Sequence, residues 1–349
     1  MPTNLPIIEG QYLRDILAQP KALADTLANL VDSKPLHPLV ARIHKAQFKS
    51  IVLTGMGSSF HALHPLHNQL IQLGLSAIMV ETSELLHYKS RLFDSKNLLV
   101  AVSQSGQSIE IVRLLRLNRR RSPVIAVTNT IDSPLATNAE AVILTQAGLE
   151  FSVSCKTYVS TVMALQWIAD LVAQRDLRRS RRELAIASGA TETYLSKWRD
   201  HVQQLADSLR SARNLFFIGR GNSLAAVGTS ALTVKESAHF AAEGLSSAAF
   251  RHGPLEMLNP ETFVVVFGGD RKAHVLNENL LQEIRAHGGS GVLISPRSTF
   301  SACILPTVSP SVSSILEILP VQMITLALAS LAGREAGRFD FATKITTKE

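Results

Sequence analysis

The sequence predicts an α/β protein with two copies of one fold, each a parallel β-sheet flanked by helices. Three observations predict it. Short apolar runs of strand length alternate with helical segments, which is typical of βαβ units and parallel sheets. A strand, a glycine-containing turn, a serine and a helix follow one another near residues 51–72 and again near 214–241, which indicates an internal repeat. The length of 349 residues fits two domains.

The first half of the chain is predicted to begin with a helix and to supply five strands. Leu13, Ile16 and Leu23 recur at roughly helical spacing, so residues 10–30 are predicted to be helical. Apolar runs bounded by turns predict strands over 50–55, 77–81, 97–103, 124–128 and 141–144. The segments between and after them predict helices over 61–73, 82–88, 108–118 and 156–175.

The second half repeats this pattern after a charge-dense connecting region at 175–184. One or two helices are predicted over 183–212 and single helices over 224–241 and 315–332. Strands are predicted over 214–219, 262–267, 291–294 and 302–305. The predicted division is a helical segment at 1–30, a first domain at 31–176, a helical linker at 177–212, a second domain at 213–335 and a C-terminal tail at 336–349.

Composition narrows the class of protein. Hydrophobic residues make up 46% of the chain and charged residues 18%, which is ample for packed cores. No uninterrupted apolar run reaches about 18 residues, so no membrane span is expected. Residues 1–9 show no secretory signal pattern. Cys155 and Cys303 form no spaced pair, which favours a reducing, cytoplasmic compartment.

The positive charge favours an anionic small molecule over nucleic acid. The net charge of +7 permits nucleic-acid binding. However, the basic residues fall into short clusters at 116–121 and 175–182 without interleaved aromatic residues, so no nucleic-acid partner is expected. A positive field also attracts anionic substrates.

Two polar turns follow predicted strands and open predicted helices. The first is Gly55-Met56-Gly57-Ser58-Ser59, and the second is Ser103-Gln104-Ser105-Gly106-Gln107-Ser108. Ligands of open parallel sheets bind outside the carboxyl ends of the strands, and helix starts attract anions. The first turn is neither a Walker A loop nor a complete dinucleotide fingerprint, so no cofactor is predicted. The two turns are expected to converge on one phosphate, although each alone is also compatible with an ordinary capped turn.

Several motifs carry a resemblance over nearly the whole chain. They are Gly57-Ser58-Ser59, Ser103-Gln104-Ser105-Gly106, Gly219-Arg220-Gly221, Lys235-Glu236, Arg251-His252-Gly253-Pro254-Leu255 and Lys344-Ile345-Thr346. In this order they resemble the double sugar isomerase (SIS) domain family. Residues 10–349 are similar to the isomerase half of glutamine–fructose-6-phosphate aminotransferase and to stand-alone sugar-phosphate deaminases and deglycases. The resemblance implies two tandem SIS domains, each a flavodoxin-like three-layer sandwich.

The resemblance also implies roles for individual residues. It implies that six residues hold the sugar phosphate, namely Ser58, Ser59, Ser103, Gln104, Ser105 and Ser108. By the same resemblance, Gly57, Ser83, Glu84 and Ser154 support the site. Glu236 would move a proton between C1 and C2 of the open sugar. His252 would assist ring opening from a neighbouring subunit of a homodimer, and Lys344 would form a Schiff base with a ketose carbonyl.

These residue types suit the chemistry. A carboxylate can shuttle a proton between adjacent carbons, an imidazole can protonate a ring oxygen, and a lysine can form an imine. Plain alternatives remain for each residue alone. Glu236 can be a helix residue paired with Lys235, His252 a core histidine and Lys344 a solvated tail residue.

This sequence departs from the family pattern in two motifs. The family's Gly-Glu-Thr is Gly106-Gln107-Ser108 here, and a Pro-Arg pair before the terminal lysine is replaced by Phe339-Asp340. These changes leave the exact substrate open.

The spacing of three histidines argues against a metal site. His61, His64 and His67 lie three residues apart, and on a helix side chains at this spacing turn progressively around the axis and do not share one face. No metal site is therefore predicted.

The predicted function is that of a phosphosugar isomerase or deaminase. Pro2 follows Met1, so no N-terminal glutaminase with a leading catalytic cysteine is expected. The expected substrate is a hexose or hexosamine 6-phosphate such as fructose 6-phosphate or glucosamine 6-phosphate, with amine release or transfer. One alternative is a fructosamine-6-phosphate deglycase. Another is a non-catalytic phosphosugar sensor, against which Glu236, His252 and Lys344 argue.

Overall fold

The chain forms two compact units. The structure, a computed structural model, describes residues 6–30, 34–341 and 343–346. We call the described residues among 21–150, 155–185 and 342–349 the five-stranded unit, after its sheet. The described residues among 1–20, 151–154 and 186–341 form the four-stranded unit.

Each unit contains one parallel sheet, and the two sheets share a strand order. The strands are β1 Ser50–Gly55, β2 Ala77–Glu81, β3 Asn97–Val102, β4 Val124–Thr128, β5 Ala141–Leu144, β6 Asn214–Gly219, β7 Ala242–Ser246, β8 Thr262–Phe267 and β9 Ser290–Ile294. The orders are β2-β1-β3-β4-β5 and β7-β6-β8-β9, with every pair parallel. The first is the flavodoxin-like order, and the second repeats it without a fifth strand. The prediction of two copies of one parallel α/β fold is confirmed.

Helices connect the strands and flank the sheets. They are α1 Gln11–Leu17, α2 Gln19–Leu30, α3 His37–His44, α4 Gly57–His61, α5 His64–Gln72, α6 Thr82–Tyr88, α7 Ile109–Asn118, α8 Pro134–Asn138, α9 Lys156–Val172, α10 Leu177–Leu195, α11 Trp198–Leu209, α12 Leu224–Ala238, α13 Ser247–Arg251, α14 Arg271–Ala286, α15 Pro310–Leu316 and α16 Leu319–Leu331. The connecting region predicted at 175–184 therefore enters α10, where Glu183 pairs with Arg175 and Arg179.

The five-stranded unit has helices on both faces of its sheet. On one face, side chains of β1, β3 and β4 pack in a single buried cluster with α6, α7 and α8, represented by Val52, Leu99, Leu85, Ile111 and Leu135. Helices α3 and α5 each contact α9, apart from that cluster. Successive strand residues point to opposite faces, so fully buried, apolar strands are what a sheet covered on both sides requires.

The four-stranded unit is built in the same way. Strand residues such as Phe216 and Val264 pack with Phe250 of α13 and with Leu280 and Ile284 of α14. Helix α16 packs against α11 and α12. Among the described residues, one helical segment, Pro310–Leu331, is long and apolar enough to cross a membrane, and 94% of its most apolar window is buried inside the protein. Buried core helices share that composition.

The helix predicted over 10–30 is divided into α1 and α2, and the helices predicted over 61–73 and 315–332 begin later, as α5 and α16. Short breaks separate α1 from α2, α4 from α5 and α15 from α16. In each case a proline is the second residue of the later helix, namely Pro20, Pro65 and Pro320. Proline has no N–H to donate, so it is tolerated in a first helical turn and interrupts a longer helix.

The strand predicted at 302–305 is wrong. Residues Ser301–Cys303 form a 3-10 turn, and only one bridge, Ser295 with Ile304, joins this segment to the end of β9. The N–H groups of Cys303 and Ile304 bond back to the carbonyls of residues 300 and 301, so they are not available for a ladder. Local turn formation therefore overrides the apolar pattern here.

Candidate functional site

The two serine turns start at the same edge of the five-stranded sheet. Strands β1 and β3 are adjacent and parallel, and Thr54 is opposite Ala101 in their register. Both strands therefore end side by side, and the turns that begin at Gly55 and Ser103 leave the sheet together. This edge is where open parallel sheets bind their ligands.

The first turn depends on two glycines. Gly57 opens α4 with a φ of +52°, in the left-handed region that glycine adopts without strain. At Gly55, a Cβ would lie 3.1 Å from backbone atoms of Phe60, Ser59 and Val102. The backbone segments cross so closely that a Cβ at Gly55 would press against them. Ser58 and Ser59 follow in α4, where both are half-buried.

In the second turn, two serine hydroxyl oxygens accept hydrogen bonds from backbone N–H groups of the same turn. Ser103 Oγ accepts from the N–H of Gly106 at 3.1 Å, and Ser105 Oγ accepts from the N–H of Gln107 at 3.3 Å. A hydroxyl can accept and donate at the same time, so each O–H proton stays available for a ligand. The turn thus presents neutral donors.

The second turn is also held rigidly from behind. The carbonyl of Gln104 accepts from Asn129 N–H at 3.0 Å and from Thr128 Oγ1 at 3.2 Å, and the carbonyl of Gly106 accepts from Leu135 N–H at 3.0 Å. A side chain at Gly106 is excluded, because a Cβ there would lie 2.2 Å from the hydroxyl oxygen of Ser133. These bonds fix the turn before any ligand arrives, which lowers the cost of binding.

The C-terminal tail docks on the helix that follows this turn. Ser108 precedes α7 and does not cap it with its side chain. The N–H of Ile109 in the first turn of α7 donates instead to the carbonyl of Thr346 at 3.1 Å. We call Ser58, Ser59, Ser103, Gln104, Ser105 and Ser108 the serine cradle. The residues of the serine cradle and the bond between Ile109 and Thr346 all lie in the five-stranded unit.

Lys344 forms an ion pair with a carboxylate in the same unit. Its Nζ lies 2.6 Å from Oε2 of Glu150, whose side chain is fully buried. Glu150 also accepts from the N–H groups of Cys155 and Thr157 and from the Thr157 hydroxyl. It thereby caps the start of α9, where the helix dipole favours a negative charge.

The charge state of Glu150 follows from these contacts. Burial by itself raises the pKa of a carboxyl group, but the charge of Lys344 and the hydrogen bonds from Lys344, Thr157 and Cys155 outweigh burial and bring the pKa of Glu150 below its ordinary value. Glu150 was not among the residues selected from the sequence. The available signal was a carboxylate just before a predicted helix start, which is a common capping pattern.

The residues predicted to support the site are divided between the units. Ser83 is half-buried and Glu84 is exposed in the first turn of α6, which directly follows β2 at the same sheet edge. The buried hydroxyls of Thr54 and Thr82, 3.1 Å apart, join the end of β1 to that turn. Ser154 is half-buried and belongs to the four-stranded unit.

Glu236 and His252 lie at opposite edges of the four-stranded sheet. Helix α12 starts at the carboxyl edge after β6 and carries the half-buried Glu236 about 18 Å along its axis, toward the amino edge. Strand β7 then returns to the carboxyl edge, where Ser246 pairs with Gly219. The exposed His252 follows α13 beyond that edge. One copy of this unit therefore keeps these two side chains apart.

The three histidines after β1 do not share a helix. His61 ends α4, and His64 and His67 lie in α5. Burial, followed by repulsion from His61 and His67, lowers the pKa of His64 to about 4, so its ring is neutral at physiological pH. Within residues 6–30, 34–341 and 343–346, no group of three or more His, Cys, Asp or Glu side chains is arranged to hold a metal ion.

Comparison with known proteins gives the chain a family. The family model described as the SIS domain matches residues 44–170 and 208–329. The glutamine–fructose-6-phosphate aminotransferase [isomerizing] of Pyrobaculum aerophilum is 29% identical over 350 residues, which cover 97% of this chain and 57% of that protein. The chain thus spans little more than half the length of this curated relative.

Solved structures share the fold over almost the whole chain. The C-terminal domain of glucosamine-fructose-6-phosphate aminotransferase from Francisella tularensis superposes with a TM-score of 0.83 at 21% identity, covering 95% of this chain and 98% of that one. Glucosamine-6-phosphate deaminase from Thermotoga maritima superposes with a TM-score of 0.78 at 17% identity, covering 97% and 100%. The two matched stretches take up well over half of the residues, and the chain therefore belongs to the SIS domain family, with two SIS domains in tandem.

Proposed function

We propose that this chain is a phosphosugar isomerase or deaminase that acts on a hexose or hexosamine 6-phosphate. The observation that carries the proposal is the serine cradle in the same unit as the ion-paired amine of Lys344. A relative named as an isomerizing aminotransferase of fructose 6-phosphate and a fold neighbour named as a glucosamine-6-phosphate deaminase support this substrate class.

The cradle suits a phosphate that must bind and leave. Its hydroxyl and amide donors are neutral, and the dipole at the start of α7 favours an anion. The net charge of +7 adds long-range attraction for an anionic substrate. We therefore assign the six cradle residues to the phosphate group and not to the reacting carbons.

Lys344 is proposed to act at the carbonyl carbon. Its ammonium, held 2.6 Å from Oε2 of Glu150, must first leave this ion pair and lose a proton to solvent. The free amine then adds to the ketose C2 carbonyl, and loss of water gives an iminium. Ammonia then displaces the lysine amine from C2, and the positive charge on the new iminium makes a C1 proton more acidic, so Glu236 is proposed to carry that proton from C1 to C2 and to leave a 2-amino aldose phosphate. In the deaminating direction the lysine displaces ammonia from C2, and water then releases the ketose phosphate from the lysine.

His252 is proposed to act on the ring oxygen of a sugar bound to a second copy of the chain. The separation of Glu236 and His252 across one sheet supports this arrangement, because one chain does not present both to the same carbon skeleton. A homodimer in which each His252 serves the partner's site would bring the two groups together. Mixing Glu236→Gln chains with His252→Gln chains should then restore activity that neither variant has alone.

A substrate panel tests the proposed reaction and separates it from two alternatives. The protein is incubated with glucosamine 6-phosphate, with fructose 6-phosphate plus ammonium, and with fructosamine 6-phosphates, while ammonia and hexose phosphates are measured. Turnover of either of the first two supports the proposal. Turnover of the fructosamine compounds alone supports a deglycase. Thermal stabilisation by sugar phosphates without any turnover supports a sensor.

The proton-transfer role has a matched control. Glu236→Gln should abolish turnover while leaving sugar-phosphate binding intact, because it removes a base and not a phosphate contact. Glu243→Gln makes the same change at an exposed position of β7 and should leave turnover unchanged. A fully active Glu236→Gln protein would contradict the assignment.

We also propose a cytoplasmic location. Cys155 and Cys303 are both buried thiols that form no disulfide, and burial raises the pKa of the Cys303 thiol to about 12, which keeps it protonated and unreactive. Cysteines that are not joined in a disulfide are typical of a reducing compartment. Fractionation of the source cells that recovers the protein outside the cytoplasm would contradict this location.

A further inference from the structure

The segment that leads to Lys344 is attached to the end of the helix that carries Glu236. Helix α12 ends at Ala238, and His239 follows with a φ of +52° as its left-handed cap. The N–H of Gly337 donates to the carbonyl of Ser237 at 3.0 Å. This backbone bond brings the chain after α16 back onto the end of α12, within the four-stranded unit.

Gly337 passes too close to its neighbours to carry a side chain. Its φ is +79°, and a Cβ there would lie 2.7 Å from Cβ of Tyr12 and 3.1 Å from the hydroxyl of Ser152. The path of the chain at this point is therefore determined by packing. It does not depend on the bond to α12 alone.

Three side chains add a second connection at the same place. The Nη2 of Arg334 lies 3.1 Å from Nε2 of His239 and 3.4 Å from Oδ2 of Asp340, and Nδ1 of His239 lies 3.4 Å from the same carboxylate oxygen. Arginine only donates, so Nε2 must accept and the ring proton belongs on Nδ1, which lies 3.4 Å from Oδ2 of Asp340. One protonation pattern therefore satisfies the contacts of Arg334, His239 and Asp340 together. We call Arg334, His239 and Asp340 the tail clasp.

We infer that the tail clasp positions Lys344 by holding the start of the tail on the helix of Glu236, an inference that rests on the proposed function of Lys344. Asp340 precedes Lys344 by four residues, and four extended residues span at most about 14 Å. Fixing Asp340 therefore restricts where the amine can reach.

The clasp residues are positioning residues and not catalytic ones. They are 25–44% exposed, so the contacts are partly screened by solvent and each is expected to be modest. Their loss should loosen the tail without disturbing the serine cradle, whose residues lie in the five-stranded unit. Turnover should therefore fall while the KM for the sugar phosphate changes little.

The test compares Asp340→Ala with Asp207→Ala. Asp207 forms an ion pair of similar exposure with Arg210 on α11 and serves as the matched control. Hydrogen exchange of the Gly337 and Ile109 amides, which donate to the carbonyls of Ser237 and Thr346, reports tail attachment by mass spectrometry without any substrate. Asp340→Ala should speed this exchange about fivefold, since it removes two partly exposed contacts, and the control should leave it unchanged. Asp340→Asn keeps an acceptor oxygen and should restore slow exchange in part.

Kinetics complete the test. A kcat lowered about fivefold at constant KM in Asp340→Ala, with partial rescue in Asp340→Asn, supports the positioning role. Unchanged tail exchange in Asp340→Ala overturns the clasp, and faster exchange with unchanged kcat overturns its positioning role. If the wild-type protein turns over no substrate of the panel, the proposed function is wrong. The positioning role is then wrong as well, even if hydrogen exchange shows that the tail clasp holds the tail.

Discussion

Replacing Glu317 with glutamine should change how the stability of the protein depends on pH. Glu317 lies between α15 and α16 and is buried, and its Oε1 accepts a bond from the Ser223 hydroxyl at 2.7 Å. Its Oε2 is buried without a hydrogen-bond partner among the described residues. Burial raises the pKa of this carboxyl from 4.5 to about 7, with a further rise from Asp270 and an opposing effect of the Ser223 bond.

The direction and size of the effect follow from linkage. Because the folded-state pKa is raised, the folded protein binds the proton more tightly than the unfolded chain does. The resulting stabilisation is complete below about pH 4.5 and is lost as the pH rises through about 7. A difference between 4.5 and about 7 corresponds to about 3 kcal/mol in the free energy of unfolding. Glutamine has the same shape, keeps an acceptor for Ser223 and does not titrate.

Urea unfolding at pH 5, 6, 7 and 8 measures the effect. The stability of Glu317→Gln relative to the wild type should rise by up to about 3 kcal/mol between pH 5 and pH 8. Glu278→Gln removes an exposed carboxylate from α14 in the same unit and should show no such trend. A relative stability of Glu317→Gln that is constant or falls with pH would refute the reasoning.

Three further predictions concern the five-stranded unit. Ser105→Ala should weaken binding of glucose 6-phosphate about tenfold while leaving glucose binding unchanged, as measured by calorimetry; equal losses would exclude a phosphate contact. Glu150→Gln keeps the oxygen that caps α9 but loses the lysine pair, so hydrogen exchange at the Ile109 amide should accelerate; an unchanged rate would show that the pair does not hold the tail. Gly106→Ala should lower the melting temperature more than Gly148→Ala, because both glycines have positive φ but only the first lacks room for a Cβ; similar losses would contradict the steric argument.

Local patterns were sufficient for the strands that lie in the middle of a sheet. Strand β3 is an unbroken apolar run that ends at a polar turn, and both its burial and its neighbour β1 follow from the rules for parallel sheets. The shared edge of the two serine turns follows in the same way, since parallel neighbours end together. These features were therefore predictable from the sequence without knowledge of distant contacts.

The edge strand β7 was not predicted, because its pattern is weak. Ala242–Ser246 contains a glutamate and a glycine and has only two apolar residues. It pairs with β6, and a Cβ at Gly244 would lie 2.7 Å from the carbonyl of Val227 in α12. The glycine is explained by this close approach of a helix, which no local pattern reveals.

The sequence by itself determined the α/β class, the internal repeat, the central strands and the serine turns, because periodicity, burial and turn chemistry act over a few neighbouring residues. Tertiary structure alone decided that Lys344 meets Glu150, a residue 194 positions away, and that Thr346 caps the amide of Ile109. It also decided that Asp340 joins His239 at the end of α12. Such contacts form only when segments that are distant in the sequence pack together. The residues around each partner therefore do not indicate which distant residue it will contact.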